Sequence, residues 1–237
     1  MLINGSVHQT NLTLINTDPI LSMDITFLEN YNPNLLSWEE LANLINIRPL
    51  MTTERVKLLD PQGRKYNWVA TGWHRDPNCY PPSLIRTLLD EMVVYFTDMS
   101  RATERLNDFA RAVEEEYQRQ TDAHIYVCRD PKLEHPFGAH IDEAHNIIIQ
   151  CEGMTNFKVW KELENGKEIM EEEKNINMKI DDEPFLDVNM KPGDAIWVPM
   201  YCPHLAVSLT PRMSVSFPFT PRGLLTLANE DRNWITI

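Results

Sequence analysis

Seven short apolar runs between residues 122 and 220 constrain the fold of this chain more than any other feature of its sequence. Each run is rich in β-branched and aromatic residues, and turn-forming residues separate it from the next. The runs are HIYVC, NIIIQC, FKVW, PFLDV, DAIWVP, HLAVSL and RMSVSFPF. So many short strands within roughly a hundred residues indicate a β-sandwich or a jelly-roll barrel.

Helices are predicted in the N-terminal half of the chain. Ser37 and Glu40 form the pattern of a capping box, which predicts a short helix ending at about Asn46. Apolar residues at helical spacing predict two longer helices, one from about Ser83 to Phe96 and the other from about Ser100 to Gln120. Helices before strands favour an α+β fold in which the helices pack outside the sheet.

These elements predict one structural unit with three parts. Residues 1–121 supply N-terminal strands and helices, residues 122–220 form the barrel core, and residues 221–237 form a short C-terminal tail. Residues 61–82 are rich in Pro, Gly and aromatic residues, which is typical of an ordered loop. The acidic stretch at 162–183 predicts a hairpin extension or a partly mobile insert.

Charge and cysteine content restrict the classes of partner. A formal net charge of -13 and a pI near 4.9 argue against a protein that neutralises nucleic-acid phosphates. The four cysteines form no C-x-x-C pair, which indicates reduced thiols in a cytosolic compartment, and Cys151 and Cys202 are expected to be small buried residues. No signal peptide or membrane span is visible, so we expect a soluble cytoplasmic protein with neither nucleic acid nor a membrane as partner. The oligomeric state does not follow from the sequence.

Candidate metal ligands lie in the segments AHIDEAHNIIIQCEG and KPGDAIWVPMYCPHLAVS. His140 and Asp142 are separated by one residue, so on a strand both would project into the barrel while Ile141 packs outward. His204 would come from a neighbouring strand. Two imidazoles and a carboxylate form the facial triad that holds Fe(II) in non-haem oxygenases and leaves its other positions open. The predicted catalytic residues and metal ligands are therefore His140, Asp142 and His204.

Two further features favour a metal site over the alternative that these histidines are structural. Gly193, Pro199 and His204 reproduce the spacing of the second cupin motif, in which five residues separate the Gly from the Pro and the His stands five positions on. Gly153 ends the run NIIIQCEG where the fold requires a turn.

The segment HIDEAHNIIIQCEG resembles the cupin-like, Jumonji-type branch of the Fe(II)/2-oxoglutarate oxygenases. In the asparaginyl hydroxylase of hypoxia-inducible factor and in the ribosomal oxygenases, H-x-D is followed by a Gln eight positions after the Asp and then by a Gly. Gln150 and Gly153 stand at these places, and Asn146 matches an Asn of the asparaginyl hydroxylase pocket. The resemblance covers residues 122–220 and implies a double-stranded β-helix with Fe(II) and 2-oxoglutarate as cofactors.

The sequence departs from this family where the co-substrate binds. Members often carry a Lys or Arg two residues after that Gly, to bind the distal carboxylate of 2-oxoglutarate, but Thr155 stands here. Lys158 would face the other way on a regular strand. Arg212 and Ser214 resemble the R-x-S clamp of other branches of the superfamily, and a guanidinium suits a carboxylate bidentately. The predicted co-substrate contacts are Arg212, Ser214, Tyr126, Asn146 and Thr155.

The interpretation of Arg212 depends on the direction in which its strand faces. Strand alternation places Arg212, Ser214 and Ser216 on one face and the apolar residues between them on the other. A polar face turned into a barrel would bind a polar ligand. The alternative is an exposed Arg212 at a turn after Pro211. For Tyr126 the alternative is a buried core tyrosine.

The remaining histidines have weaker sequence signals. His145 would face away from Asp142 and is expected near the ligands or at the surface. His124 and His135 show no partners in the sequence and are expected to be structural. His74 lies in the aromatic loop, either lining a substrate entrance or as an ordinary loop residue.

The leading hypothesis is a 2-oxoglutarate-dependent dioxygenase that acts as a hydroxylase. The resemblance implies that 2-oxoglutarate is converted to succinate and CO2 while a substrate C–H bond is hydroxylated. One alternative is a metal-dependent cupin enzyme that does not use 2-oxoglutarate, and another is a cupin-like binding module without catalysis. The expected substrate is an amino acid, a peptide or protein side chain, or a small metabolite.

Three features bear on the size and charge of that substrate. Only a short tail follows the last predicted strand, so the helical dimerisation region of several Jumonji protein hydroxylases is not expected, which leaves room for a small substrate. The acidic stretch at 162–183 would attract a basic substrate or form a solvated face. The aromatic loop from Trp68 to Tyr80 would be a lid or ordinary packing.

Overall fold

The computed structural model describes residues 24–59, 79–133 and 137–220, together with two short strands at 226–228 and 234–236. The helices are α1 Trp38–Leu44, α2 Pro82–Leu88, α3 Glu104–Tyr117 and α4 Gly166–Glu171, with a 3-10 turn at Arg48–Leu50. The strands are β1 Thr26–Leu28, β2 Val56–Leu59, β3 Val93–Phe96, β4 His124–Cys128, β5 His145–Glu152, β6 Thr155–Val159, β7 Leu186–Met190, β8 Ala195–Val198, β9 His204–Ser208, β10 Arg212–Phe219, β11 Thr226–Ala228 and β12 Trp234–Thr236.

Two antiparallel sheets form the core of the described chain. The larger has the strand order β1-β8-β5-β10-β4-β3-β2, and the smaller has the order β7-β6-β9. An isolated bridge between His140 and His204 extends the smaller sheet beyond β9. Side chains from both sheets, among them Ile148, Phe157 and Ile196, share one apolar cluster, so the sheets face each other. The predicted α+β double-stranded β-helix is confirmed.

The larger sheet has an apolar outer face, and at β10 its inner face is polar. Met213, Val215 and Phe217 of β10 belong to the main core cluster, in which they pack with residues of α1, α2 and α3. Alternation then turns Arg212, Ser214 and Ser216 toward the smaller sheet. The prediction that the helices pack outside the sheet is therefore confirmed, and the polar residues of β10 face the interior of the barrel.

The capping box was predicted correctly. The Ser37 hydroxyl accepts a hydrogen bond from the amide of Glu40, and the Glu40 carboxylate accepts one from the amide of Ser37. Thr103 caps α3 in a similar way through the amide of Leu106. The predicted helix from Ser100 to Gln120 is therefore present with narrower bounds.

The predicted helix from Ser83 to Phe96 is wrong in its second half. Helix α2 ends at Leu88, and residues 93–96 form β3 between β2 and β4. The run Val93-Val94-Tyr95-Phe96 consists of β-branched and aromatic residues, and pairing with two strands buries it more completely than one helix face could. Tertiary pairing thus overrides the helical spacing of the preceding leucines.

The acidic stretch packs against the segment that carries His140. The stretch contains α4, and its residues 175–178 lie alongside the H-x-D segment. Three backbone hydrogen bonds join them. The Asn177 amide donates to the Phe137 carbonyl at 2.8 Å, the Met178 amide donates to the Ala139 carbonyl at 2.8 Å, and the Ile141 amide donates to the Asn175 carbonyl at 3.1 Å. This stretch is therefore a structural support of the site as well as a charged surface.

Some predictions fall outside the described residues. The predicted strands and loops within residues 1–23 are not among the described residues. The same holds for most of the aromatic loop, including Trp68 and His74, and for His135. None of the helices in the described part of the chain has the length and apolarity needed to cross a lipid bilayer. All four cysteines are buried free thiols, as expected for Cys151 and Cys202.

Candidate metal centre

Three side chains from two distant segments of the sequence converge in the barrel. The ligand atoms of His140, Asp142 and His204 all lie within 4.8 Å of one another. Two backbone hydrogen bonds hold the histidines side by side, from the His140 amide to the His204 carbonyl at 3.0 Å and in the reverse direction at 2.9 Å. This spacing suits three protein ligands of one metal ion.

The local backbone differs from the predicted strand. His140 makes only an isolated bridge, and Asp142 lies in the turn before β5, where its carbonyl accepts the Tyr201 amide at 3.0 Å. Ile141 is fully buried, and its amide donates to the Asn175 carbonyl. The side chains of His140 and Asp142 therefore converge because two loops hold the segment, and not because of strand alternation.

Hydrogen bonds to the two imidazoles define which nitrogen faces the site. Nδ1 of His140 lies 3.0 Å from the Gly138 carbonyl, and Nδ1 of His204 lies 3.0 Å from the Cys202 carbonyl. A carbonyl oxygen only accepts, so Nδ1 of each ring carries a hydrogen, and Nε2 is the nitrogen that could bind a metal. Backbone partners of this kind orient metal-binding histidines in proteins.

The charge state of His140 also fits a metal ligand. Burial lowers the pKa of its imidazole, and the neighbouring His204 lowers it further, to about 4. The ring is therefore neutral near neutral pH. Nε2 of His204 lies only 3.6 Å from Oδ2 of Asp142. Atoms at this separation can bind one shared cation, so the donor set suits a divalent metal.

Asn146 contacts the candidate ligand Asp142. Its side-chain amide donates to Oδ2 of Asp142 at 2.8 Å, and its carbonyl accepts the Ser216 hydroxyl at 2.7 Å. Asn146 and Ser216 are both buried. The sequence predicts Asn146 as a co-substrate contact, and in the structure the same residue holds the carboxylate of Asp142.

A cavity opens from the three candidate ligands into the barrel. Its lining comes from both sheets and includes Tyr126, His140, Asp142, Asn146, Ile148, Phe157, His204, Ala206, Arg212, Ser214 and Ser216. Four of the five predicted co-substrate contacts, all except Thr155, therefore line the same cavity as the candidate metal ligands.

Arg212 is the largest fully buried side chain of the described residues. Its Nε donates to the Ser208 hydroxyl at 2.9 Å, and its Nη1 donates to the Ser214 hydroxyl at 2.9 Å. In the described residues its Nη2 has no hydrogen-bond partner, and no carboxylate forms an ion pair with it. Burial lowers the pKa of this guanidinium, but arginine stays charged in proteins. A buried cation of this kind requires an anion.

Thr155 lies close to this group, whereas Lys158 does not. Thr155 is opposite Ser208 in the pairing of β6 with β9, and within the described chain its buried Oγ1 also has no hydrogen-bond partner. Ser208 is thus hydrogen-bonded to Arg212 and opposite Thr155 in the sheet. Lys158 is on the outer face of the smaller sheet, where its ammonium is 3.5 Å from Asp187. This geometry favours Arg212 over Lys158 as the anchor of a carboxylate.

Sequence reasoning did not identify Ser208. The available signal was alternation on β9, which places Ser208 on the same face as His204 and Ala206. His124, which shows no partner in the sequence and is expected to be structural, contacts Tyr95 and Asp122 through its ring. His145 accepts the Met200 amide at 3.0 Å and so supports the loop before His204.

The fold and the site together define a double-stranded β-helix with a two-histidine, one-carboxylate centre. A family model described as the JmjC domain matches residues 99–227, more than half of the chain. The chain therefore belongs to the JmjC-domain family, the Jumonji-type branch of the Fe(II)/2-oxoglutarate oxygenases. The resemblance inferred from HIDEAHNIIIQCEG is confirmed.

Solved structures of the ribosomal oxygenase YcfD from Escherichia coli share this fold. The complex of YcfD with cobalt and 2-oxoglutarate has a TM-score of 0.57 at 19% identity and covers 83% of this chain and 48% of the YcfD chain. The complex with cobalt and succinic acid has a TM-score of 0.55 at 18% identity and covers 88% and 49%. This chain thus spans about half the length of these proteins. No curated protein sequence matches it.

Proposed function

We propose that this protein is an Fe(II)- and 2-oxoglutarate-dependent oxygenase that hydroxylates a C–H bond and releases succinate and CO2. The observation that carries the proposal is Arg212, a buried cation that lines the same cavity as the metal triad and lacks a carboxylate partner among the described residues. A metal site alone is compatible with many cupin reactions. A metal site with a buried guanidinium in one cavity is suited to a ligand with two anionic ends.

The candidate ligands and the residues that contact them would have separate roles. Nε2 of His140, Nε2 of His204 and a carboxylate oxygen of Asp142 would hold Fe(II), which supplies the activation of dioxygen when bound. Asn146 and Ser216 would hold the Asp142 carboxylate in a fixed orientation.

The other end of the cavity would bind the distal carboxylate of 2-oxoglutarate. Nη2 of Arg212 is a buried donor that lacks a partner in the described chain, and Ser214 already orients the guanidinium. Charge-assisted hydrogen bonds from a fixed guanidinium are among the strongest available to a carboxylate. The apolar walls at Ile148, Phe157 and Ala206 would exclude water from the reacting atoms.

The proposed substrate is an amino-acid side chain of a peptide or protein, with a free amino acid or another small metabolite as the alternative. The structural likeness to YcfD, a ribosomal oxygenase, supports the first of these. The acidic stretch beside the H-x-D segment would favour a basic substrate.

Formation of succinate from 2-oxoglutarate by the Fe(II)-loaded protein, with candidate amino acids and peptides, tests the activity. Calorimetry with the Mn(II)-loaded protein tests co-substrate binding separately. Metal binding without any affinity for 2-oxoglutarate would overturn the proposal and favour a cupin enzyme of another class. Failure to bind metal would favour a binding module without catalysis.

A further inference from the structure

The cavity contains two polar regions and an apolar wall. The candidate metal ligands form one polar region, and the buried guanidinium of Arg212 with its hydroxyl partners forms the other. The apolar part of the lining consists of Ile148, Phe157 and Ala206. A ligand that contacts both polar regions therefore has to pass along this wall.

Strand β9 places Ala206 between the two polar regions. Its inward face carries His204, Ala206 and Ser208 in that order. His204 is a candidate metal ligand, and the Ser208 hydroxyl accepts from Nε of Arg212 at 2.9 Å. Each of these residues is two positions from Ala206, about 7 Å along the strand. The side chain of Ala206 is thus midway between the metal side and the guanidinium side.

Strand β10 repeats this order on the opposite sheet. The hydroxyl of Ser216 donates to Asn146, which holds a candidate metal ligand, and Arg212 is four residues away on the same face. Ser214 lies between them, and its hydroxyl accepts from Nη1 of Arg212 at 2.9 Å. The middle positions of β9 and β10 are therefore both occupied by small residues, and of these only Ala206 has no hydrogen bond to make.

The other apolar residues of the wall leave little room to move. Phe157 is opposite Ala206 in the pairing of β6 with β9, and only 3% of its surface is exposed. Its ring stacks on the His204 imidazole, with centroids 6.0 Å apart and an angle of 10° between the planes. Ile148 is buried as well. Strands favour β-branched residues over alanine, but a larger side chain at 206 would extend into the cavity.

We propose that Ala206 is the specificity-determining residue of the co-substrate site, which keeps a passage open for an unbranched 2-oxo dicarboxylate between the metal site and Arg212. The proposal rests on the proposed function, because 2-oxoglutarate is the ligand that would contact both polar regions. The two methylene groups of 2-oxoglutarate match the apolar wall. A larger side chain at 206 closes the passage and leaves the metal ligands and the guanidinium in place.

The first test enlarges the side chain. Binding of 2-oxoglutarate to the Mn(II)-loaded protein is measured by calorimetry for the wild type, Ala206→Val and Ala206→Leu, with metal content determined for each. We expect the affinity to fall about tenfold in Ala206→Val and at least about 100-fold in Ala206→Leu, the range of overpacking effects. Oxalate chelates a metal ion but has no carbon chain between its carboxylates, so it should bind all three proteins alike.

Val207→Phe is the matched control for enlarging a side chain on this strand. Val207 is the next residue of β9 but faces outward, and 41% of its surface is exposed. The variant should bind both 2-oxoglutarate and oxalate like the wild type. Unchanged binding of 2-oxoglutarate by Ala206→Leu would overturn the proposal. Equal losses of oxalate and 2-oxoglutarate in Ala206→Leu would also overturn it, because the obstruction would then lie at the metal.

The second test removes the methyl group and covers the case in which an enlarged variant fails to fold. A methyl substituent on the carbon chain would collide with the wall of the wild type, so 3-methyl- and 4-methyl-2-oxoglutarate should both bind it more weakly than 2-oxoglutarate. Ala206→Gly should improve the affinity for at least one of them about tenfold relative to 2-oxoglutarate, the effect of one methyl group in an apolar pocket. Loss of stability alone would not produce such a gain. An unaltered preference in Ala206→Gly would overturn the proposal.

The wild type distinguishes this inference from the proposed function. A wild type that binds Mn(II) and 2-oxoglutarate, with no effect of the substitutions at 206, would overturn the role of Ala206 and leave the proposed function intact. A wild type that binds Mn(II) without 2-oxoglutarate would overturn both.

Discussion

The side-chain amide of Asn146 donates a hydrogen bond of 2.8 Å to Oδ2 of Asp142. Because the amide is in turn held by Ser216, it fixes the carboxylate before any metal binds. Asn146→Ala should therefore weaken metal binding by about 10- to 100-fold, as outer-shell substitutions do. Competition with a chelator of known affinity measures the change. Asn156→Ala is the control, since Asn156 makes a similar bond of 2.7 Å to Asp187 on the outer sheet face. Equal affinities in the two variants would contradict the role of Asn146.

Metal binding should stabilise the folded protein through the triad. At a free metal concentration of 100 times the dissociation constant the gain is about 2.7 kcal/mol. The melting temperature of the wild type should therefore rise with Mn(II) or Zn(II) and fall again with chelator. His204→Ala should show no such response, whereas Asp187→Asn, outside the cavity, should respond like the wild type. A full response in His204→Ala would exclude this residue as a ligand.

Arg212→Met should abolish binding of 2-oxoglutarate without unfolding the protein. Methionine fills a similar volume, and replacing a buried charge by an apolar group is often neutral or stabilising. We expect the dissociation constant for 2-oxoglutarate to rise by at least about 100-fold, the loss of a bidentate charged contact. Metal content should stay the same. Lys158→Met on the outer face of the smaller sheet is the control and should bind normally. Normal binding by Arg212→Met would disprove the clamp.

Among the glycines that the structure describes, Gly153 is the one whose replacement should be most damaging. Its φ is +67°, and a Cβ at this position would lie 1.9 Å from the carbonyl oxygen of Pro211. Gly153→Ala should lower the free energy of unfolding by at least about 2 kcal/mol because of backbone strain and this collision. Gly153→Asn should be no better, although Asn tolerates positive φ, because its Cβ meets the same backbone atom. Urea denaturation measures both, and a near-wild-type midpoint for Gly153→Ala would contradict the described turn.

Asp122 should make the stability of the protein depend on acid pH. The pKa of its carboxyl is lowered in the folded state, so its contribution is present above its unfolded value of about 3.9 and is lost as the pH falls through the lower folded value. Asp122→Asn should cost roughly 1.5 kcal/mol near neutral pH, the size of a hydrogen bond to a charged group. The gap between wild type and variant should close below about pH 4. A gap that persists unchanged there would show that the charge does not contribute.

Much of the core follows from local sequence patterns. The seven apolar runs become strands β4 to β10, because short β-branched and aromatic runs between turn residues have few alternatives. The two faces of β10 were also predictable, since alternation decides which residues share a face. The donor types at His140, Asp142 and His204 are likewise a property of the sequence.

The tertiary structure decided which strands and loops are neighbours. Local spacing does not reveal that residues 93–96 pair with β4, that Ser208 lies beside Arg212, or that Tyr95 is opposite Tyr126 and contacts His124. Local spacing also predicted Asp142 on a strand, whereas in the structure Asp142 lies before β5 and two loops hold its segment. The physical reason is that periodicity fixes side-chain direction within one element, whereas register between elements depends on burial and hydrogen bonding across the whole chain. The identity of the candidate ligands is therefore local, and their arrangement around a common metal site is not.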